Sequence, residues 1–470
     1  MVDYEFAAET TQGRARLQRK TAVTPATSLA SDPPPVILGL LQDPPPQPRS
    51  WVRTVGPAIL GVVVWFPLLD GLGGVAPGAG VPRRWLSCLL ALGAFYLLIY
   101  LPLAGLGLRR RARLPVVAAD ALGERGAEWI AGVLYGLFAA LWGAVAIWYS
   151  VRLTLDGLTV WGLLDPPYIT DRVAMGATLE PPLVLACLVW WTFIAVSATG
   201  LNLTGVIEAL MRVYSPTAGV LIVVTALWVW WRGGTGFYYQ VDWMNPAAGP
   251  GVFPYLFGAL AFAGVSTVEW GGAVRDRRDV RLGGWTALLA AGAVTTLAAL
   301  VLGSYHPDGT ARRTLIDLRD RWLGGGALLL FGLASLAPAC YAASLFTTRF
   351  RAHWPRLGKW KGVGLLYLIL IVPGAVGVAG DVVTLAGVSG ALFAPLAGIL
   401  GVESFRKDRD EPRRGWNGPG VAAWAVGAVV GLAPTVAPTM SRIQPAALFG
   451  WFVAALVYAN APRRRGERST

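Results

Sequence analysis

Histidine, cysteine and charge are scarce in this chain. Its 470 residues hold two histidines, His306 and His353, and three cysteines, Cys88, Cys187 and Cys340. The histidines fall in different loops, expected on opposite sides of a membrane, so a histidine-built metal site or catalytic triad lacks its raw material. The cysteines sit inside apolar stretches, with neither metal-ligand spacing nor a disulfide framework. Charged residues make up 14% of the chain, against about a quarter in soluble domains. Strand-like alternation is missing too, which speaks against an outer-membrane barrel. No apolar signal-peptide core opens the sequence. Residues 1–53 are polar and proline-bearing and read as a disordered cytoplasmic tail.

What the chain has is a ladder of apolar segments. Apolar residues make up 55% and the mean hydropathy is +0.53. Twelve stretches, at 55–73, 85–106, 128–149, 182–200, 213–231, 253–274, 284–303, 325–347, 361–379, 381–402, 420–437 and 444–460, approach the ~20 residues that a helix needs to cross a bilayer. Taking alternate gaps as the two sides, thirty of the forty Lys and Arg lie on one side and ten on the other. The rich side holds Arg14, Arg16, Arg49 and Arg53, the run Arg109, Arg110, Arg111 and Arg113, and Arg463, Arg464 and Arg465. Basic residues mark the cytoplasmic face, so both termini are expected inside and the number of spans even. The net charge of +13 is then topological, attracted to anionic lipid, and is not read as nucleic-acid binding. Aromatic clusters such as Trp228, Trp230 and Trp231 suit the interface, and the 58 glycines suit close helix packing.

Two spans look broken. Span one carries Trp65-Phe66-Pro67-Leu68-Leu69-Asp70-Gly71, and span six carries Ala263-Gly264-Val265-Ser266-Thr267-Val268-Glu269-Trp270-Gly271-Gly272. Interrupted backbone at membrane depth is tolerated where protein or a watery cavity satisfies it. Two such helices five spans apart match the inverted-repeat plan of secondary transporters, whose site lies between the breaks. Unwinding is expected near Phe66–Gly71 and Val265–Gly272. Asp70 and Glu269 lie in these broken helices. A carboxylate there costs about 2.5–3.5 kcal/mol on insertion scales, and it survives by facing a cavity, pairing with a cation or keeping its proton. Asp70 could instead sit at the outer interface, and Glu269 nearer the cytoplasm beside Arg275. Asp381 reads as an exposed helix cap.

Several segments, in order, resemble the nucleobase:cation symporter family of cytosine, purine, allantoin and hydantoin permeases. Leu392-Phe393-Ala394-Pro395-Leu396-Ala397-Gly398 through Glu403-Ser404-Phe405 is similar to the family's segment at the end of span ten, with Glu403 in place of the usual Asp. Gly415-Trp416-Asn417-Gly418-Pro419 leading to Trp424 resembles its opening of span eleven, and Arg113-Leu114-Pro115 through Gly123-Glu124-Arg125-Gly126 its loop before span three. The resemblance implies a leucine-transporter-like architecture: an all-α, twelve-helix domain at 54–460. Repeat one would lie at about 54–232, an inverted repeat two at about 250–402, extra helices at about 420–460, and a cytoplasmic tail at 461–470. It implies that Trp142 stacks on the substrate ring, and that a sodium ion would use carbonyls of the broken first helix with hydroxyls on span eight. The chain departs from the family pattern: Ala146 stands where a Gln or Asn is usual, Ser266 where a Trp is usual with Trp270 four residues later, and span eight keeps only Ser335 and Tyr341 of its polar set.

The expected function is import of a small nitrogen-containing, nucleobase-like or hydantoin-like compound with a cation, by alternating access in the cell membrane. Substrate contacts are expected from Trp142, Asp70, Ser266, Glu269, Ala146 and Trp270, and coupling from Asp70, Glu269 or Ser335 with H+ or Na+; no other cofactor is implied. The partners are the small-molecule substrate and the lipid bilayer, with a monomeric functional unit. A proton-coupled amino acid, amine or vitamin permease of the same fold is the alternative. A membrane-embedded enzyme or a sensor stands further off, because Asp156, Asp165, Asp171 and Glu180 in the outer loops form no recognisable constellation. Cysteines placed at Gly309 or Thr235 should react with an impermeant reagent from outside, and cysteines at Asp279 or Ser469 should not. External labelling at both termini would end the twelve-span reading.

Overall fold

A computed structural model describes residues 48–75, 80–164, 172–174, 177–201, 203–233, 251–306, 310–353, 359–406, 415–437 and 444–461. The tail to residue 47, the tail from 462, Asp165, Asp171 and the labelling positions Thr235, Gly309 and Ser469 lie outside them. Span one is two helices, α1 (Val55–Val63) and α2 (Phe66–Gly74). Span two is α3 (Val81–Arg110), followed by a surface helix α4 (Leu114–Leu122). Span three is α5 (Glu124–Val160), eleven residues longer at its far end than its hydropathy indicates. A two-stranded antiparallel hairpin, β1 (Arg172–Ala174) and β2 (Ala177–Leu179), precedes α6 (Pro182–Gly200).

Span five is α7 (Thr204–Gly233) and span six the pair α8 (Val252–Val265) and α9 (Thr267–Gly272). Span seven, α10 (Arg277–Gly303), leads to a short helix α11 (Ala311–Ile316). Spans eight to twelve are α12 (Arg321–His353), α13 (Lys359–Ala375), α14 (Val382–Phe405), α15 (Gly418–Val436) and α16 (Ala446–Asn460). Among the described residues all twelve spans are present, nine of them long and apolar enough to cross a membrane by length and composition. The shorter three include the first half of the broken span six. Asp381 caps α14 as expected, its Oδ1 accepting the Thr384 N–H at 3.0 Å. The stretch taken as tail is structured from residue 48. Trp51–Arg53 forms a 3-10 turn, and Arg49 exchanges backbone hydrogen bonds with Ala273 and Arg275 at 2.9 and 3.2 Å.

Spans three and eight pack along their length, α8 runs against α14, and α14, α15 and α16 form a three-helix cluster. Large apolar side chains on the outer faces, such as Trp190, Trp231, Trp285 and Leu456, are exposed, as lipid contact requires. A very close approach joins span two to the second half of span six. A Cβ on Gly107 would lie 1.9 Å from the Val268 carbonyl oxygen, and one on Gly271 2.3 Å from that of Ala104. Neither backbone has room for a methyl group. Gly107→Ala should therefore lower stability by about 1–3 kcal/mol, read as a drop in apparent Tm in detergent. Gly105→Ala on the same helix, where a Cβ meets nothing within 4 Å, should leave Tm in place. Equal shifts for the two would contradict this packing.

Candidate functional site

The break in span one falls at Val64–Trp65. Proline at 67 has no N–H to give to the turn before it, and the chain leaves the helix at Trp65 with ψ 116°. It restarts at once, with the Leu68 and Leu69 N–H groups both donating to the Trp65 carbonyl at 3.0 and 3.1 Å. The interruption thus lies before the expected 66–71 stretch, and Asp70 and Gly71 are helical. Span six bends more gently. Ser266 keeps helical angles, its N–H turning to Ala263 O at 3.0 Å, and the Thr267 hydroxyl donates to Gly264 O at 2.6 Å. Thr267–Gly272 is helix, so the expected unwinding narrows to a kink at Ser266. The two broken spans touch, the Tyr255 hydroxyl of α8 donating to Leu68 O of α2 at 2.9 Å.

Between them lies a cavity of about 510 Å³. Its deep end is aromatic: Trp65, Trp142 and Phe262 line it, with Tyr135 and Ser266. Trp142 and Phe262 are near-parallel, at 6.0 Å and 22°, and Trp65 meets Trp142 edge-on at 5.4 Å. Ser266 and Tyr135 share a hydrogen bond between their hydroxyls. The other end reaches Arg49, Arg53 and Arg212. Of the residues singled out from sequence, Trp142, Ser266, Glu269 and Trp270 line the cavity. Asp70, Ala146 and Ser335 are buried outside its lining. Tyr341 lines the cavity, whereas the Ser335 hydroxyl donates to Phe331 O of its own helix at 2.9 Å. Phe331 in turn stacks on Phe66 at 4.5 Å, holding span eight against the break.

Both embedded acids are bound to partners. Asp70 is buried; its Oδ1 accepts the Arg312 backbone N–H of α11 at 2.8 Å and its Oδ2 the Tyr149 hydroxyl at 3.3 Å. The Arg312 side chain turns to Asp156, at 2.6 Å, and lies over Trp148. Burial depresses the Arg312 guanidinium, but Asp156 and Asp70 outweigh that and hold it above its ordinary pKa. Arg152 pairs with Glu180, which also accepts the Trp148 indole N–H at 2.8 Å. Two of the acids that formed no constellation in sequence, Asp156 and Glu180, therefore belong to this seal. Glu269 pairs with Arg349 of α12 at 2.6 Å and accepts the Leu114 N–H of α4 at 3.1 Å. Arg275 pairs with Asp279 instead, so the expected alternative for Glu269 gives way to a partner 80 residues on. Sequence reasoning missed Arg312, although four of the ten basic residues on the poor side fall between spans seven and eight. That local excess was the signal.

This arrangement of helices is known. The chain aligns with Mhp1 in its inward-facing conformation at TM-score 0.60 and 17% identity, covering 89% of this chain and 92% of that one. It aligns with Mhp1, a nucleobase-cation-symport-1 family transporter, in a closed conformation with bromovinylhydantoin bound, at TM-score 0.57 and 17% identity over 89% and 94%. A Na+-coupled sialic acid symporter in a substrate-bound outward-open state gives 0.51 and 13% identity over 87% and 89%. No protein-family model and no curated protein sequence matches the chain. The fold is leucine-transporter-like. It comprises two inverted five-helix repeats with two added helices, in a multi-pass membrane protein.

Under that inversion span one corresponds to six, three to eight, and α4 to α11, each of these short helices joining the second and third spans of its repeat. The two carboxylates then occupy matching roles. Each sits in the second half of a broken span. Each accepts a backbone N–H from the first turn of the short helix of the other repeat, and each meets a side chain on the third span of its own repeat. Such charge-assisted bonds to helix N-termini are favoured by the dipole. Because Arg349 is 3% exposed, Glu269→Ala should strand its cation and cost about 3–5 kcal/mol. The pair Glu269→Leu with Arg349→Met should cost less than that single change, measured by unfolding in detergent. A double variant as damaged as the sum of its parts would show the pair is not coupled.

Proposed function

We infer that the chain is a secondary active transporter of the nucleobase:cation symporter type, importing a small, flat, nitrogen-containing compound with a cation. The supporting observation is the aromatic cavity between two broken helices, open at the Arg49 end and clasped shut at the Asp70 end. With the basic face in the cytoplasm this is an inward-open state, in keeping with the likeness to inward-facing Mhp1. Outward opening would release the Asp70–Arg312–Tyr149 clasp, and substrate drives the cycle only through different affinities for the two states. Among the described residues that line the cavity a cationic cargo finds no free anion, since Glu269 is held by Arg349 and Leu114 and Asp70 stands outside the lining.

Protons are the coupling ion in this reading. Releasing the clasp strips a carboxylate of its donors in a low dielectric, where taking up a proton stabilises it. Sodium is less well served, as Ser335 supplies one hydroxyl oxygen on span eight and neighbouring Ala334 offers no side-chain oxygen. Uptake of a labelled compound panel into proteoliposomes, under imposed proton or sodium gradients, tests both parts. Nucleobase-like or hydantoin-like uptake should persist without sodium and collapse with a protonophore. Asp70→Asn or Glu269→Gln should abolish net uptake while counterflow exchange survives. Strict sodium dependence with both amide variants active would return the coupling role to Ser335.

A further inference from the structure

Trp148, Arg152 and Asp156 stand four residues apart on α5, so one face of span three carries an indole, a cation and a carboxylate in line. The indole is fixed by groups that do not belong to α11. Its N–H is donated to Glu180 Oε1 at 2.8 Å, the Tyr149 ring stands across it at 5.1 Å, and a Cβ on Gly380 would lie 3.1 Å from its rim. Asp156, 8% exposed, is carried by the same long helix. The Arg312 guanidinium reaches this face from α11. Its Nε donates to Asp156 Oδ2 at 2.6 Å, and its Cζ lies 5.9 Å from the centre of the Trp148 ring. With 22% of the Arg312 side chain exposed, the place it occupies borders the surface.

We propose that Trp148 and Asp156 form an outward-facing site for small guanidinium compounds, which Arg312 fills as a tethered ligand in this conformation and vacates when α11 lifts. A carboxylate beside an indole face suits a guanidinium, which is planar, weakly hydrated, stacks on aromatic rings and donates through a fork of N–H groups. An ammonium ion offers a point charge and keeps its water more firmly. With Arg312 in place, Asp70, Asp156 and Glu180 are set against Arg152 and Arg312; without it, the three carboxylates face Arg152 alone. Lifting α11 from spans one and three thus takes a cation from a buried carboxylate, which favours its replacement from solution. A compound bound there blocks the return of Arg312 and holds the clasp open. The lifted state belongs to the transport reading, on which the biological meaning rests; the chemistry of the site does not depend on it.

The test compares methylguanidinium chloride with methylammonium chloride, at equal ionic strength, on the purified full chain in detergent. Arg312→Ala empties the place without altering α5. Methylguanidinium at millimolar concentration should raise the apparent Tm of this variant, and about threefold more methylammonium should be needed for the same rise. Adding Asp156→Asn should abolish the rise. A second measurement keeps Arg312 in place and so does not depend on the folding of that variant. Ala311, at the start of α11, is 1% exposed, and Ala311→Cys in intact cells should react faster with an impermeant maleimide when methylguanidinium is outside. A rise that methylammonium or sodium chloride matches, a rise that survives Asp156→Asn, no rise in a folded variant, or unchanged labelling would each overturn the proposal. Guanidinium binding in a chain that moves no compound into proteoliposomes would leave this site standing and sink the transport reading alone.

Discussion

A helix that stops inside a bilayer must have its backbone satisfied by protein, and the site of this molecule is built on one such stop. Because Pro67 cannot donate to the preceding turn, α1 ends at Val63 and Trp65 takes up an extended conformation. That single extended residue places an aromatic ring at the end of the cavity. It also restarts a helix whose first turn is closed on the Trp65 carbonyl and whose Leu68 carbonyl is met by Tyr255 from span six. The second half of span one, so directed, delivers Asp70 to the N-terminus of α11. Cavity, cross-repeat contact and the bond of Asp70 to α11 all descend from the one missing N–H.

Much of the fold was legible because hydropathy and charge asymmetry are one-dimensional signals. The spans and the pairing of breaks in one and six follow from them. The exact site of each break did not. Proline disturbs the turn on its N-terminal side, so the interruption lies before Phe66. Gly271 proved to serve close packing against span two, and both Gly271 and Gly272 are helical, not unwound. Ser266, Glu269 and Trp270 were singled out by the break in span six and Trp142 by the family resemblance, and all four line the cavity. Asp70, expected to contact substrate, and Ser335, expected in coupling, lie outside the lining, because burial alone does not tell which face of a helix a side chain occupies. The partners of the two acids were hidden for a simpler reason: Arg349 and Arg312 lie 80 and 242 positions away in sequence, and no local period links them.

The motifs that carried the family resemblance prove to be neighbours. Asn417 donates to Ala121 O at 2.6 Å, and its N–H meets Leu122 O at 2.8 Å. Trp424 donates to Leu392 O at 2.9 Å. Arg109 reaches the Ser404 carbonyl, and Glu403 accepts the Tyr458 hydroxyl while pairing with Arg406. The segments 113–126, 392–405 and 415–424 thus bind one another, and none of them is in the cavity lining. They preserve an assembly, which explains why they point to a fold more sharply than to a cargo. The positions where the chain departs from the family pattern lie elsewhere, Ser266 in the cavity lining and Ala146 buried outside it.

The crossed clasps also constrain how the chain is made. Asp70 enters the membrane long before its partner on α11, whose N–H belongs to a residue 242 positions later. At translation speeds of roughly 5–20 residues per second, the wait is roughly 12–50 s. Glu269 finds the α4 N-terminus already in place, so the two ends of the molecule mature in different orders. Until α11 emerges, the first repeat must keep the carboxyl of Asp70 hydrated or protonated, since an isolated carboxylate is poorly tolerated in hydrocarbon. Each repeat holds one side-chain partner for its acid, and the backbone N–H comes from the other repeat. An amino-terminal half made alone would therefore carry an acid with no helix to cap, and is expected to be retained and degraded by quality control before it can assemble.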